Sequence, residues 1–169
     1  AIEHFYFKDS KGVEPLDCGG YFDSMPLDSG NDLRRESVLM LERMGIPVEY
    51  SHHENAPSQH EIHLRYADAC SMADAVMTHR LVVKQVAQSH GCYASFMPKP
   101  CAAYDGSGMH LHIALHNLDG VNLFYDPHDP DGYQLSQTAK YFLAGLLRYA
   151  PEYTLLTNQY VNSYKRFVN

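Results

Sequence analysis

His52-His53-Glu54-Asn55-Ala56-Pro57-Ser58-Gln59-His60-Glu61-Ile62 is the stretch that decides how this 169-residue chain folds. Asn55, Pro57 and Ser58 are turn formers. They lie between two short runs, Val48 to Ser51 and Gln59 to Arg65, that read as strands. An antiparallel hairpin is predicted. The His-Glu pairs at 53–54 and 60–61 put one carboxylate on each arm, so the two can converge on one point. Carboxylates gathered around one ion suit a hard cation such as Mg²⁺ or Mn²⁺. Taken alone they fit a solvated hairpin as well, because exposed Glu is common.

Outward from the hairpin, Ile2 to Phe7 alternates in part and is aromatic-rich, which predicts a strand carrying a third acid, Glu3. A Gly- and Pro-containing loop spans 15–32. A helix is predicted over about 31–44, with Gly45 as its stop, and another over 72–90, with Met72, Val76, Val83 and Val86 on one face and Gly91 behind it. Tyr93 to Phe96 reads as a short strand and 97–108 as a loop. Met-His-Leu-His-Ile-Ala-Leu-His, 109–116, alternates cleanly and predicts a strand with His110, His112 and His116 on one side. That pattern serves a ligand pair or a polar strand face equally. Ser136 is placed to cap a helix ending near Tyr149, a shorter helix follows over 151–157, and 162–166 reads as a loop. Strands in neighbouring pairs with helices between them give an α+β fold: a largely antiparallel sheet, helices on one face, the other face open to a ligand.

Composition narrows the function. The net charge is −7 and the 13 Lys and Arg residues are scattered, which argues against nucleic acid. No long apolar run predicts a membrane span. The four cysteines form no CxxC pair, so buried free thiols in a reducing cytoplasm are expected. The start, AIEHFYFKDS, has no basic-then-apolar signal and begins directly in a strand pattern, so both ends are expected to be cut from a longer chain. Gly106-Ser107-Gly108 would let backbone approach a ligand closely but lacks a Rossmann or Walker pattern. Lys165-Arg166 could hold an anionic substrate, since Arg grips a carboxylate in bidentate fashion, although such a pair alone is usually solvated surface.

In order along the chain, EHFYF (3–7), YFD (21–23), HHENAPSQHEI (52–62), FMPKP (96–100), GSGMHLH (106–112) and NSYKR (162–166) resemble the catalytic domain of glutamine synthetase over residues 1–168. FMPKP followed by GSGMHxH at this spacing carries most of the specificity. TNQYVNSYKR (157–166) is worded more like the divergent, glutamine synthetase-like paralogues. The resemblance implies roles for particular positions. Glu3, Glu54 and Glu61 would ligate a first metal ion and His110 a second. His112, Glu49 and Tyr66 would contact ATP. Gly106 would lie against the glutamate backbone and Arg166 would hold its carboxylate. Asp105 stands where the family usually has Asn, near the amine pocket.

The implied activity is ATP- and Mg²⁺- or Mn²⁺-dependent ligation of ammonia to glutamate through a γ-glutamyl phosphate, in stacked-ring homo-oligomers. A ligase for another amine, a polyamine or ethanolamine, is the first alternative. A non-catalytic structural or regulatory relative is the second. Ala1 and Ala114 depart from a usual metal Glu and a nucleotide-contacting Ser. The resemblance further implies a β-grasp domain before residue 1 and the rest of the catalytic domain after 169, so this piece alone is expected to be inactive.

Overall fold

Residues 1–167 are described by a computed structural model of the chain. The elements run β1 (Ile2–Phe7), α1 (Asn31–Arg43), β2 (Val48–His53), β3 (Gln59–Leu64), α2 (Ala69–Ser89), β4 (Tyr93–Ser95), α3 (Gln137–Arg148), α4 (Ala150–Thr157) and α5 (Val161–Lys165). The four strands form one sheet in the order β2-β3-β1-β4, every pair antiparallel. The predicted α+β class is what is found, with the hairpin and both long helices close to their predicted bounds.

Two compact units make up the chain: Ala1–His110 with the segment from Asn162 onward, and Leu111–Val161. The first contains the sheet. Its back face is apolar and covered by helices. Tyr6, Val48, Ile62 and Ala94 from the strands pack with Leu33 and Leu41 of α1 and with Val82, Val83, Val86 and Ala87 of α2. These buried α2 positions recur at helical spacing. The buried stripe lies further along α2 than Met72 and Val76, which are only partly covered. Asp68 caps α2 by accepting from the Cys70 and Ser71 amides.

The back face also holds charge and imidazole. The Arg34 guanidinium makes a bidentate ion pair with Asp28, at 2.7 and 3.0 Å. It also donates to His60 Nδ1 at 2.7 Å. Asp17, Asp28, His53 and His60 bring ligand atoms within 4.8 Å of one another. Arg34 already supplies the cation of that cluster, so no metal is needed there. His53 donates from Nδ1 to the Glu54 carbonyl and from Nε2 to Asp17. Burial pushes His53 down, but those hydrogen bonds outweigh it and its pKa is raised. Burial pushes Asp17 up, while His53 and the Ser58 and Ser29 amides outweigh it and hold it low. The loop glycines exist for these rings: a Cβ on Gly30 would sit 2.5 Å from His60 Nε2, and one on Gly19 2.8 Å from His53 Nε2.

Two predicted features differ. Residues 109–116 form no strand; only Met109, paired with Ile2, and His116, paired with Asn122, make isolated bridges. Alternation gives a strand only where a neighbour supplies a ladder. β4 occupies β1 at residues 5–7, which leaves just the start of β1 for 108–110. The Asp119-Gly120 turn is present, with Gly120 at φ +80°. The second difference is 162–166, which is not a loop: α5 covers 161–165 and Arg166 follows in a turn.

In the second unit, Ser136 caps α3 as predicted, accepting from the Ala139 amide. The helix ends near Tyr149 as expected, and Pro151 sits in the first turn of α4, where a missing N–H costs nothing. The Lys140 ammonium, bonded to Asp129 and Asp131, holds the Asp129 carboxyl at about 2. All four cysteines are free, but none is buried as expected: Cys18 and Cys70 are exposed, and Cys92 and Cys101 are partly covered, because they fall in loops and at helix ends rather than on the core faces. Among the described residues no helix is long and apolar enough to cross a membrane.

His79 of α2 is fully buried, and desolvation lowers its pKa to about 4. His4 and His60 are also buried and lowered by desolvation. A lowered histidine contributes its full stability above the unfolded value of 6.5 and loses it as pH falls toward the folded value. The shift at His79 is worth about 3 kcal/mol once the unfolded state is fully protonated. Urea unfolding at a series of pH values is expected to show stability falling from pH 6.5 toward 4, with a shallower fall in His79→Leu. An unchanged slope in the variant would refute this.

Candidate metal centre

Side chains alternate along strands, so register decides what meets on the open face. Glu3 of β1 pairs with Glu61 of β3, and Glu61 pairs with His52 of β2. These three stand in one row across the sheet. His63 and Gln59, two residues to either side of Glu61, share its face. Glu54 lies just past the end of β2, where its amide still bonds the Gln59 carbonyl at 2.7 Å.

Glu3 is held by its second oxygen. Oε2 accepts from the Gly108 amide at 2.7 Å and from the Gln59 side-chain amide at 3.3 Å. Oε1 is left facing His110 Nε2 at 3.8 Å, and His110 Nδ1 lies 4.0 Å from Glu61 Oε1. Ligand atoms of Glu3, Glu61 and His110 all fall within 4.8 Å of one another. Glu61 is almost fully buried, and its Oε1 has no hydrogen-bond partner among the described residues. A buried carboxylate oxygen with no partner is costly unless a cation compensates it. Two carboxylates and an imidazole fit Mg²⁺ or Mn²⁺ by donor type. The Glu54 pKa is raised, first by burial and also by the neighbouring Glu61 carboxylate. Acids pressed together in this way favour a shared cation.

This group borders a cleft of about 350 Å³ lined by Glu3, Tyr21, Glu54, Asn55, Gln59, Asp105, Gly106, His110 and Arg166. The glycines make room. A Cβ on Gly106 would meet the Pro98 carbonyl at 2.4 Å and the Arg166 side chain at 3.0 Å; one on Gly108 would meet Arg166 Nη2 at 2.9 Å and His110 Nε2 at 3.1 Å. Arg166 is carried in by α5, which Asn162 ties to the 97–108 loop: its side chain accepts from the Lys99 amide at 2.7 Å and donates to the Lys99 carbonyl at 2.9 Å. No protein anion pairs with the Arg166 guanidinium among the described residues, so it is free for an anionic ligand.

Of the residues singled out in the sequence, Glu3, Glu54, His110, Asp105, Gly106 and Arg166 line one cleft, and Glu61 lies beside it against His110. Glu49 and Tyr66 are exposed and outside its lining. His112 lies in the second unit, exposed. The residue that sequence reasoning missed is Gln59. It is 1% exposed, and its amide also bonds the Gly106 carbonyl at 3.1 Å and Ser107 Oγ at 3.3 Å. Its place inside the hairpin quoted at the outset was the available signal.

Acids, an imidazole and an unpaired arginine thus meet around one cleft on an antiparallel sheet, a donor set suited by type to a hard cation beside an anion. The family model for the glutamine synthetase catalytic domain matches residues 2–169, and the chain belongs to that family. It is 54% identical to a glutamine synthetase of Mycolicibacterium smegmatis and 51% identical to one of Methanosarcina mazei, in each case over 99% of this chain and 38% of the relative. Among solved structures, a Plasmodium falciparum glutamine synthetase matches with a TM-score of 0.88 at 30% identity, over 98% of this chain and 38% of that one. GmaS without ligand matches with a TM-score of 0.88 at 35% identity, over 98% and 39%. The chain thus spans a little over a third of the length of these relatives.

Outer contacts that orient metal ligands typically change affinity 10–100-fold. Gln59→Leu is expected to weaken Mn²⁺ binding by roughly that factor while leaving the circular dichroism spectrum unchanged. Calorimetric titration with Mn²⁺ checks it; wild-type affinity in the variant would show that Glu3 needs no support from Gln59.

Proposed function

We propose that this chain supplies part of the active site of an ATP-dependent ligase that joins ammonia to the γ-carboxylate of glutamate, through a γ-glutamyl phosphate, in the cytoplasm. The observation that carries the reading is the convergence of Glu3, Glu61 and His110 within 4.8 Å, beside Arg166. Membership of the family supports it.

The residues divide the work. Glu3, Glu54, Glu61 and His110 would hold Mg²⁺ or Mn²⁺. When bound, such ions neutralise the charge of a transferring phosphoryl group. Arg166 grips the α-carboxylate of glutamate, and Gly106 lets the substrate backbone come close. The γ-carboxylate would then attack the terminal phosphorus of ATP with ADP as leaving group, and an amine would add to the acyl carbon, lose a proton and expel phosphate. No protein nucleophile is required. Fixed charge around the cleft steadies the anionic centre that develops. Glu49, Tyr66 and His112 are assigned to ATP by resemblance alone. The full-length protein would be a homo-oligomer of stacked rings, with a β-grasp domain ahead of residue 1.

A second reading has an observation of its own. Asp105 lines the cleft and makes no hydrogen bond or ion pair with protein among the described residues. An unpaired carboxylate near the amine position would favour a cationic amine such as a polyamine or ethanolamine.

Phosphate release from ATP and glutamate separates the readings. The full-length protein is expected to turn over with ammonium, and strict dependence on ammonium over putrescine removes the second reading. The 169-residue chain alone is expected to bind Mn²⁺ weakly and release no phosphate. Glu61→Gln is expected to abolish what Mn²⁺ binding it has. Wild-type Mn²⁺ affinity in that variant would remove the basis of both readings.

A further inference from the structure

The far side of Glu61 carries a second constellation that the ligase reading does not use. Its Oε2 is 3.1 Å from His52 Nε2 and 3.4 Å from His63 Nε2. Ligand atoms of His52, Glu61 and His63 lie within 4.8 Å of one another. The register places them together: His52 is directly opposite Glu61, and His63 is two residues along the same strand face.

The proton on His52 makes this pairing unusual. His52 Nδ1 is 3.0 Å from the His53 carbonyl oxygen. A carbonyl only accepts, so Nδ1 carries the hydrogen. In the neutral imidazole Nε2 then holds a lone pair, aimed at a carboxylate oxygen that is also an acceptor. Two acceptors at 3.1 Å require a positive charge between them, supplied by a proton on Nε2 or by a metal ion. An Nδ1–H bonded to a backbone carbonyl is also how proteins orient a metal-ligating histidine.

Spacing and chemistry specify the cation. Ligands about 2.0–2.1 Å from a tetrahedral ion are about 3.4 Å from each other. The two measured separations lie at or just below that value. The third edge, between the two imidazoles, is within 4.8 Å. Two imidazoles and one carboxylate suit Zn²⁺ or a similar first-row dication better than Mg²⁺. The rings are already positioned: Phe22 stacks on His52 with centroids 4.4 Å apart, and Tyr50 stacks on His63 at 3.9 Å. Phe22 and Tyr50 are themselves exposed, so the cluster is reached from solvent.

We infer that His52, Glu61 and His63 form a site for Zn²⁺ or a related first-row dication, distinct from the Glu3–Glu61–His110 centre and joined to it by the Glu61 carboxylate. Oε1 of Glu61 serves one centre and Oε2 the other.

The test uses the chain with Zn²⁺, Co²⁺ and Mn²⁺ alone. Equilibrium dialysis with metal analysis is expected to find one Zn²⁺ fewer per chain in His63→Gln than in wild type. Co²⁺ is expected to give the intense visible absorption of a four-coordinate ion in wild type and in Glu3→Gln, and to lose it in His63→Gln. Ring ¹⁵N resonances of His52 and His63 in the wild-type chain are expected to shift with one equivalent of Zn²⁺, a readout that does not depend on any variant folding. Unshifted rings, or equal Zn²⁺ content in wild type and His63→Gln, would overturn the site and leave an ordinary imidazolium–carboxylate pair. Mn²⁺ binding that survives Glu3→Gln would instead count against the ligase reading and leave this site standing.

Discussion

Glu3, Glu61 and His52 stand shoulder to shoulder across three antiparallel strands, and the rest of the first unit is arranged around that row. Like charges directly opposite one another in a sheet repel. A sheet that places two carboxylates in register must therefore be held by something else. Here the holding is done from behind, by the apolar layer of Tyr6, Val48, Ile62 and Ala94 against α1 and α2. A one-residue slip of β3 would turn Glu61 inward and Ile62 outward. The hydrophobic face thus fixes the chemical face.

Buried polarity adds a second constraint. Arg34 satisfies Asp28 and His60 together, and His53 with Asp17 stitches the 15–30 loop to the hairpin. Breaking such a pair from one side strands a buried charge, at a cost of about 3–5 kcal/mol. The two histidines are each the sequence neighbour, on the back, of an acid on the front: His53 of Glu54, His60 of Glu61. The alternating His-Glu wording reflects two jobs on two faces of the same strands.

Much of this was legible from residues alone. The hairpin, β1, both long helices with their glycine stops and the Ser136 cap follow from period and turn chemistry. So does the idea that Glu54 and Glu61 converge. The 109–116 stretch misled because alternation reports which faces a chain presents, while a strand needs a partner edge, and β4 had taken it. Helix α5 was missed because NSYKR has too few apolar positions to show a period. Gln59 escaped because an amide is silent as chemistry until its partners, Glu3, Gly106 and Ser107, are folded around it. The roles of Glu49, Tyr66 and His112 rest on resemblance, since each is read against a ligand rather than against the chain.

Gly108 and Arg166 occupy what is nearly the same space, with 2.9 Å between the guanidinium and where a Cβ would be. The two positions are therefore coupled through the free end of the Arg166 side chain. A side chain at 108 would displace that end, and with it the guanidinium, from its present place in the cleft. The absence of a side chain at 108 is thus part of what sets where the guanidinium of residue 166 can stand.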